Sequence, residues 1–495
     1  MHVIFRESHT LDDTDAPFDI NQTAAELIVL SFSDSDLGAF LAGWHRAKNI
    51  SDNENIPTLR LVNLIALKHP LSVDTYIEKT ASHAKGILIR LIGGKNYWNY
   101  GLMQLQDIAR KKDIALAVIP GDGRDDPQLD ELSTVPTSTL RRLKTLCDYG
   151  GEVAAQAALA QLSVAAGLYF KPVIGKKEIS SCGFFCADLG VVSEEEVQSL
   201  INTKKATFIL SFYRSYLTAS DLDPIMLLIK SVRAKGFNCF GVFATSLKDK
   251  NVVNWLDSAL SKFPIAAIIN ATAFSARGGP KNTSPLDKPG CPVFQVAFST
   301  ARKFEWEASD RGLSPADLAM HVVLPEVDGR LFAGVLSFKA PKPRDCDLQY
   351  SRFSHETSVK ELDSILNKVN SWYQLAKKPA TDKKLMLVLS TYPGKDYQLG
   401  HAVGLDTIAS ANEILNQLIK NGYNGEHLKG KKLNNLLKVC KVKWGLEEYQ
   451  ESLKNIPQQL ADEISTNWGN ASQDSCFKNG CFEFSVVKLG NISVG

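Results

Sequence analysis

At 495 residues the chain exceeds the size of a single hydrophobic core, which implies three or four domains. With 44% hydrophobic and 22% charged residues and a formal net charge of +2, it has a globular composition without the basic surplus of a nucleic-acid-binding protein. Nine scattered cysteines, an odd number, exclude a disulfide scaffold and imply reduced thiols in the cytoplasm. The opening MHVIFRESH is not a signal peptide and no apolar stretch is long enough to span a bilayer, so a soluble protein without a membrane span is expected.

Residues 2–5 read as a short strand and 27–32 as a second, followed by a helix from Leu37 past Trp44 that Asp34 or Ser35 would cap. Residues 59–67 are mostly apolar and end at His69-Pro70, and a helix over 73–80 has Ser72 as its expected cap. The apolar runs 86–92 and 114–119 flank a segment, 102–109, with apolar residues at helical spacing. Strand, loop, helix, strand predicts a parallel pair with its loops on one edge. Helices follow at 138–149 and 152–166, separated by Gly150-Gly151, and close a first α/β domain over 1–170.

A linker or small subdomain spans 171–205. A second α/β domain, 206–357, alternates strands at 206–212, 239–244 and 265–269 with helices at 222–234 and 251–261. Residues 213–216 read as a loop, 286–298 and 318–324 continue the sheet, 332–338 adds a strand, and 344–357 loops out. The amphipathic helix 358–378 carries Leu362, Ile365, Leu366, Val369 and Trp372 on one stripe. It opens a third α/β domain over 358–495, apparently truncated, with strands at 384–389, 482–486 and 492–494 and a helix at 414–421. The expected class is therefore α/β, several successive Rossmann-like parallel-sheet domains in one multidomain chain.

Candidate sites fall on the loops, where open α/β sheets bind ligands. Gly93 and Gly94 lack the lysine and Ser/Thr of a phosphate loop, so direct ATP hydrolysis is not expected; they stand as ligand or partner contacts or as a plain turn. Tyr97, Trp98 and Tyr100 suit a flat apolar macrocycle or an interface, with packing over the sheet edge as the alternative. Asp122 and Arg124 in PGDGRDDP offer polar contacts or a solvated turn, and Arg90 and Asn270 end strands at the loop edge. His69 suits a structural hydrogen-bonding role better than acid–base work. Glu326 and Asp328, with Arg330, form a carboxylate pair around a turn, able to contact a cation or basic partner or to cap the turn. The CGFFC run at 182–186 lacks the second pair of ligands that a metal site needs, so no metal ligand is assigned.

The runs NLIALKHPLSVDTYIEKT, HAKGILIRLIGGKNYWNYG and LAVIPGDGRDDP, in that order, resemble the N-terminal region of the CobN family, large subunits of ATP-dependent cobaltochelatase. FQVAFSTARKFEW and MHVVLPEVDGR resemble a second family stretch. A third, with Tyr392, Gly404, Asp406 and Thr407, is similar to the family's NYPxxxGRIGNGVGLDTP, departing from it at His401-Ala402 and Ile408. The resemblance implies a chain that frames a corrinoid macrocycle, hydrogenobyrinic acid a,c-diamide, for insertion of cobalt as substrate. ATP would be consumed by AAA+-type partner subunits. The family's later His-Met-Gly-x-His-Gly-x-x-Glu-Trp-type motif is absent, so no catalytic residue is assigned and the chain is expected to be an N-terminal fragment. A magnesium-chelatase large subunit acting on protoporphyrin IX, or a non-catalytic tetrapyrrole-binding scaffold, are the alternatives.

Overall fold

A computed structural model describes residues 17–50, 56–121, 125–171, 173–278, 283–390, 401–402 and 404–495. The expected strand at 2–5 lies outside them. The chain divides into two compact units, Met1–Val369 and Asn370–Gly495.

The first unit opens with a sheet of β1 (Leu27–Ser31), β2 (Leu59–Asn63), β3 (Gly86–Leu91) and β4 (Ala115–Pro120), in the order β2-β1-β3-β4 and parallel throughout. These strands are near-continuous apolar runs because both faces are covered. Leu27 and Val29 of β1 pack under the helices Asp34–Ile50, Thr137–Tyr149 and Gly151–Ala165, while Ile28 and Leu30 pack under Pro70–Lys79 and Asn99–Lys112. Helix Asp34–Ile50 comes so close to Gly151–Ala165 that a Cβ on Gly43 would sit 2.7 Å from the Gln156 nitrogen. Only glycine fits there.

The second sheet has eight strands: β5 (Cys182–Cys186), β6 (Gly190–Val192), β7 (Thr207–Tyr213), β8 (Asn238–Ala244), β9 (Ile265–Asn270), β10 (Val293–Ser299), β11 (Leu331–Pro341) and β12 (Phe353–Thr357). Their order is β12-β11-β10-β9-β7-β8-β5-β6, with a parallel centre, β8 to β11, and antiparallel strands on both edges. The CGFFC run is thus the strand next to the edge, paired with β8 on one side and β6 on the other. Residues four apart on a strand are about 13 Å apart, too far for Cys182 and Cys186 to share one ion.

Several local expectations are corrected. Residues 318–324 are not a strand but part of a helical run comprising Pro315–Leu318, a π turn at Ala319–Val323 and Leu324–Val327. The β-branched Val322-Val323 pair imitates a strand, but the Ser314 side chain caps the run and Pro315 pre-sets its first turn. Residues 214–218 form a short helix instead of a loop. The 344–357 segment does not loop out. Its first half folds back on the first sheet, with Arg60 donating to the Asp347 carbonyl at 2.7 Å. Its second half is β12, anchored where Asp221 accepts from the His355 backbone and Asp223 from that of Thr357.

In the second unit, Leu385–Leu387 pairs parallel with Ile492–Val494, which pairs antiparallel with Val487–Leu489. A separate antiparallel sheet joins Lys441–Gly445, Cys481–Ser485 and Phe477–Lys478. The expectation of several successive parallel-sheet domains therefore fails: one sheet is wholly parallel, one is mixed, and the rest are small. The helix there starts at Thr407, seven residues before the expected 414, because the Asp406 side chain accepts from the Ala409 nitrogen and caps it. No described helix is long and apolar enough to cross a membrane.

Candidate functional site

The residues that converge most densely lie where the loop after β9 meets the helical crossover between β10 and β11. Asn270, at the end of β9, donates from its side chain to Gln295 at 2.7 Å and accepts from the Thr272 hydroxyl at 2.9 Å. Gln295 in turn donates to the Thr272 carbonyl at 2.7 Å, and the Tyr213 hydroxyl donates to the Ala273 carbonyl at 2.6 Å. The Phe274 nitrogen donates to the Met320 carbonyl inside the π turn. Asp328 closes the loop by accepting from the Ser275 hydroxyl and the Ala276 nitrogen, both at 2.6 Å. Five consecutive residues, 272–276, are thus pinned.

What the pinning holds up is Phe274, 51% exposed and at φ +67°. A bulky side chain in the left-handed region costs roughly 1–3 kcal/mol and persists only where its surroundings impose it. The crossover beside it leaves Val323, Leu324 and Val327 exposed together with Glu326. The arrangement offers an apolar surface with one solvent-facing carboxylate.

At the start of the same crossover Asp317 is fully buried, accepting from the hydroxyls of Ser299 and Thr300 and from the Thr300 nitrogen. His321, one turn on, is buried with no partner for Nδ1. Burial lowers its pKa below the ordinary 6.5, and the Asp317 carboxylate offsets only part of this. As pH falls below about 6.5, the unfolded chain takes up this proton before the folded one does. Stability is therefore full above that pH and declines as pH falls towards the folded pKa. His321→Gln should flatten this part of the profile, seen as a smaller loss in urea midpoint between pH 7.5 and 5.5 than in the parent.

The sequence-predicted residues do not form one site. Asn270 and Asp328 act together on the loop, but Asp328 is buried and Glu326 is exposed, so the expected carboxylate pair does not converge. Arg330 is turned away to Asp287 at 2.6 Å. His69 caps Pro70–Lys79 through Nδ1, in place of the expected Ser72. Trp98 is core, donating to the Leu67 carbonyl at 2.8 Å, while Tyr97 stands 62% exposed, edge-on to Phe32. The Tyr100 hydroxyl bonds Asp74 at 2.8 Å. Gly93 and Gly94 have φ of +91° and +75° and make the turn that leads to these aromatics. Asp122, Arg124 and Tyr392 lie outside the described residues, and Asp406 is a helix cap. Arg90 sits apart, in a cavity of the first sheet.

Phe274, Asp317 and His321 were missed. The signal available was the density of Asn, Thr, Ser and Gln at strand ends, which becomes informative only once their strands are known to be neighbours. Among the described residues no group of three or more His, Cys, Asp or Glu is placed to hold a metal ion.

Comparison with known proteins adds what geometry does not. The CobN/magnesium chelatase family model matches residues 151–495. The aerobic cobaltochelatase subunit CobN of a Sinorhizobium species is 31% identical over 518 aligned residues, covering all of this chain and 40% of its own length. The Pseudomonas aeruginosa protein of the same name is 30% identical, with the same coverage. The chain thus spans about two fifths of these relatives. Among solved structures, the catalytic subunit of cobaltochelatase from Mycobacterium tuberculosis superposes with a TM-score of 0.66 at 21% identity, over 94% of this chain and 38% of that one. The fold is shared.

Proposed function

This chain belongs to the CobN/magnesium chelatase family, and from that premise we propose that it serves as the N-terminal portion of a cobaltochelatase large subunit. In this reading it holds hydrogenobyrinic acid a,c-diamide in the cytoplasm while cobalt, the inserted substrate, is delivered with ATP consumed by AAA+-type partners. The observation that carries cobalt over magnesium is coverage: two cobaltochelatase relatives align with the whole chain at 31% and 30% identity.

Metallation requires a distorted ring, loss of two pyrrolic protons and a desolvated metal. A rigid apolar platform supplies the first from binding energy spent away from the reacting nitrogens. Phe274, held up by its pinned loop, with Val323, Leu324 and Val327, is the platform we assign to the macrocycle. Glu326 is the carboxylate at its rim, and Tyr97, Tyr100 and the Gly93-Gly94 turn are assigned to partner contact. Proton removal belongs to parts of the subunit beyond this stretch.

The test is fluorescence-quench titration of the full chain with the metal-free corrinoid and, separately, with protoporphyrin IX. The corrinoid should bind at least about tenfold more tightly, and Phe274→Ser should weaken it by roughly 5- to 30-fold, the equivalent of about 1–2 kcal/mol of lost apolar contact. Tighter binding of protoporphyrin would move the assignment to magnesium chelatase. Binding of neither would leave a scaffold.

A further inference from the structure

The strand order β2-β1-β3-β4 places a topological switch point between β1 and β3, because the chain leaves β1 towards β2 and returns on the other side of it. Crevices at such points, outside the carboxyl ends of the strands, are where open α/β sheets take ligands. A cavity of about 250 Å³ lies there. Its polar wall is Ser33 and Ser35 after β1, Arg90 of β3, Asp36, Asp148 and Thr218. Phe40, Ile92 and Leu146 supply an apolar wall.

The charges in this wall select its occupant. Arg90, 8% exposed, donates to Asp36 at 2.5 Å and to Asp148 at 2.7 Å, and Lys144 reaches the second Asp148 oxygen at 3.2 Å. Arg90 is the one cation in the wall against Asp36 and Asp148, and Lys144 behind it is shared with Asp125 at 3.6 Å, so an anion entering gains no net attraction and meets the Asp148 carboxylate. A cation gains nothing either, since Arg90 and Lys144 already stand against the carboxylates. What stays open is hydrogen-bonding capacity, because carboxylate oxygens accept more than one bond each and hydroxyls both donate and accept. A neutral planar group with two N–H donors and one carbonyl acceptor matches this set, and an attached ring fits the apolar wall.

We infer that the cavity at the carboxyl ends of β1 and β3 is a binding site for a primary carboxamide on a small ring system. It is separate from the Phe274 surface and does not depend on the reading of that surface. The amide N–H groups donate to Asp148, and the amide carbonyl accepts from Ser33 or Ser35.

The test uses nicotinamide as probe, nicotinate as its isosteric carboxylate and glycerol as a hydroxyl competitor, titrated into the full chain by calorimetry or saturation-transfer NMR. Nicotinamide should bind saturably at about a millimolar, as befits so small a ligand, with nicotinate weaker by about tenfold or more. Ser35→Phe, which puts an aromatic ring in the cavity wall, should abolish binding. Independently of that variant, a crystal soaked with nicotinamide should show the amide within hydrogen-bond reach of Asp148 and Ser33. Equal binding of nicotinate, displacement by glycerol, no saturable binding, or a ligand found elsewhere would each overturn the assignment.

Discussion

Arg90→Ala should cost about 3–5 kcal/mol of stability, because it strips two carboxylates of the guanidinium that compensates them. Arg90 is buried, its Nη1 lies 2.5 Å from Asp36 and 3.3 Å from the Cys147 carbonyl, and its Nη2 lies 2.7 Å from Asp148. Burial already raises the Asp36 carboxyl above its ordinary pKa, against the opposing charge of Arg90. Without that charge Asp36 would hold its proton to still higher pH. A folded-state carboxyl raised in this way loses stability as pH rises above its unfolded value, so the deficit should be larger at pH 8 than at pH 5. Urea denaturation of parent and variant at both values measures it. A second substitution that neutralises one of the two stranded carboxylates, Asp36→Asn in the Arg90→Ala background, should recover part of the loss, a non-additivity expected of groups in one network. A deficit under about 1 kcal/mol at pH 8 would mean that water reaches this triad freely.

The same triad shows where sequence reading ran out. Arg90 stood out as a charge closing the apolar run of β3, but its partners lie 54 and 58 residues away, at the start of one helix and the end of another. Nothing local links the three. They meet because β1 and β3 are neighbours while β2 lies outside, a topology that patterning does not specify. The parallel strands themselves were legible for a physical reason: covered on both faces, they must be apolar at every position. Where a segment is apolar and β-branched but local caps favour helix, as at 318–324, pattern gave the wrong element. The antiparallel edges were hidden as well. β12 is polar although Ser354 and His355 are buried, and what holds it are Asp221 and Asp223, more than a hundred residues earlier. Resemblance reached further than periodicity, because PEVDGR marked a turn whose Asp328 does its work on a loop fifty residues away.

That turn carries the other large effect. Asp328→Ala should destabilise the first unit by about 2–4 kcal/mol, since it leaves the Ser275 hydroxyl and the Ala276 nitrogen without their acceptor beneath a covered loop. The consequence for function is larger than the stability figure conveys. Phe274 is held at φ +67° by its own nitrogen's bond to the Met320 carbonyl and by bonds on either side of it, and Asp328 accepts the two on its C-terminal side. Once they are gone, the loop can relax to an unstrained conformation that lowers the aromatic ring, recovering part of the roughly 1–3 kcal/mol of strain. Macrocycle affinity should then fall as far as it does in Phe274→Ser, although Asp328 itself is buried and touches no ligand. Asp328→Asn separates the two effects. An amide oxygen can still accept from the Ala276 nitrogen, and the Ser275 hydroxyl can turn to the same oxygen, so both stability and affinity should lie between parent and Asp328→Ala. If affinity were unchanged in Asp328→Ala while stability fell, the macrocycle would not be resting on Phe274, and the platform would have to be sought on another face of the second sheet.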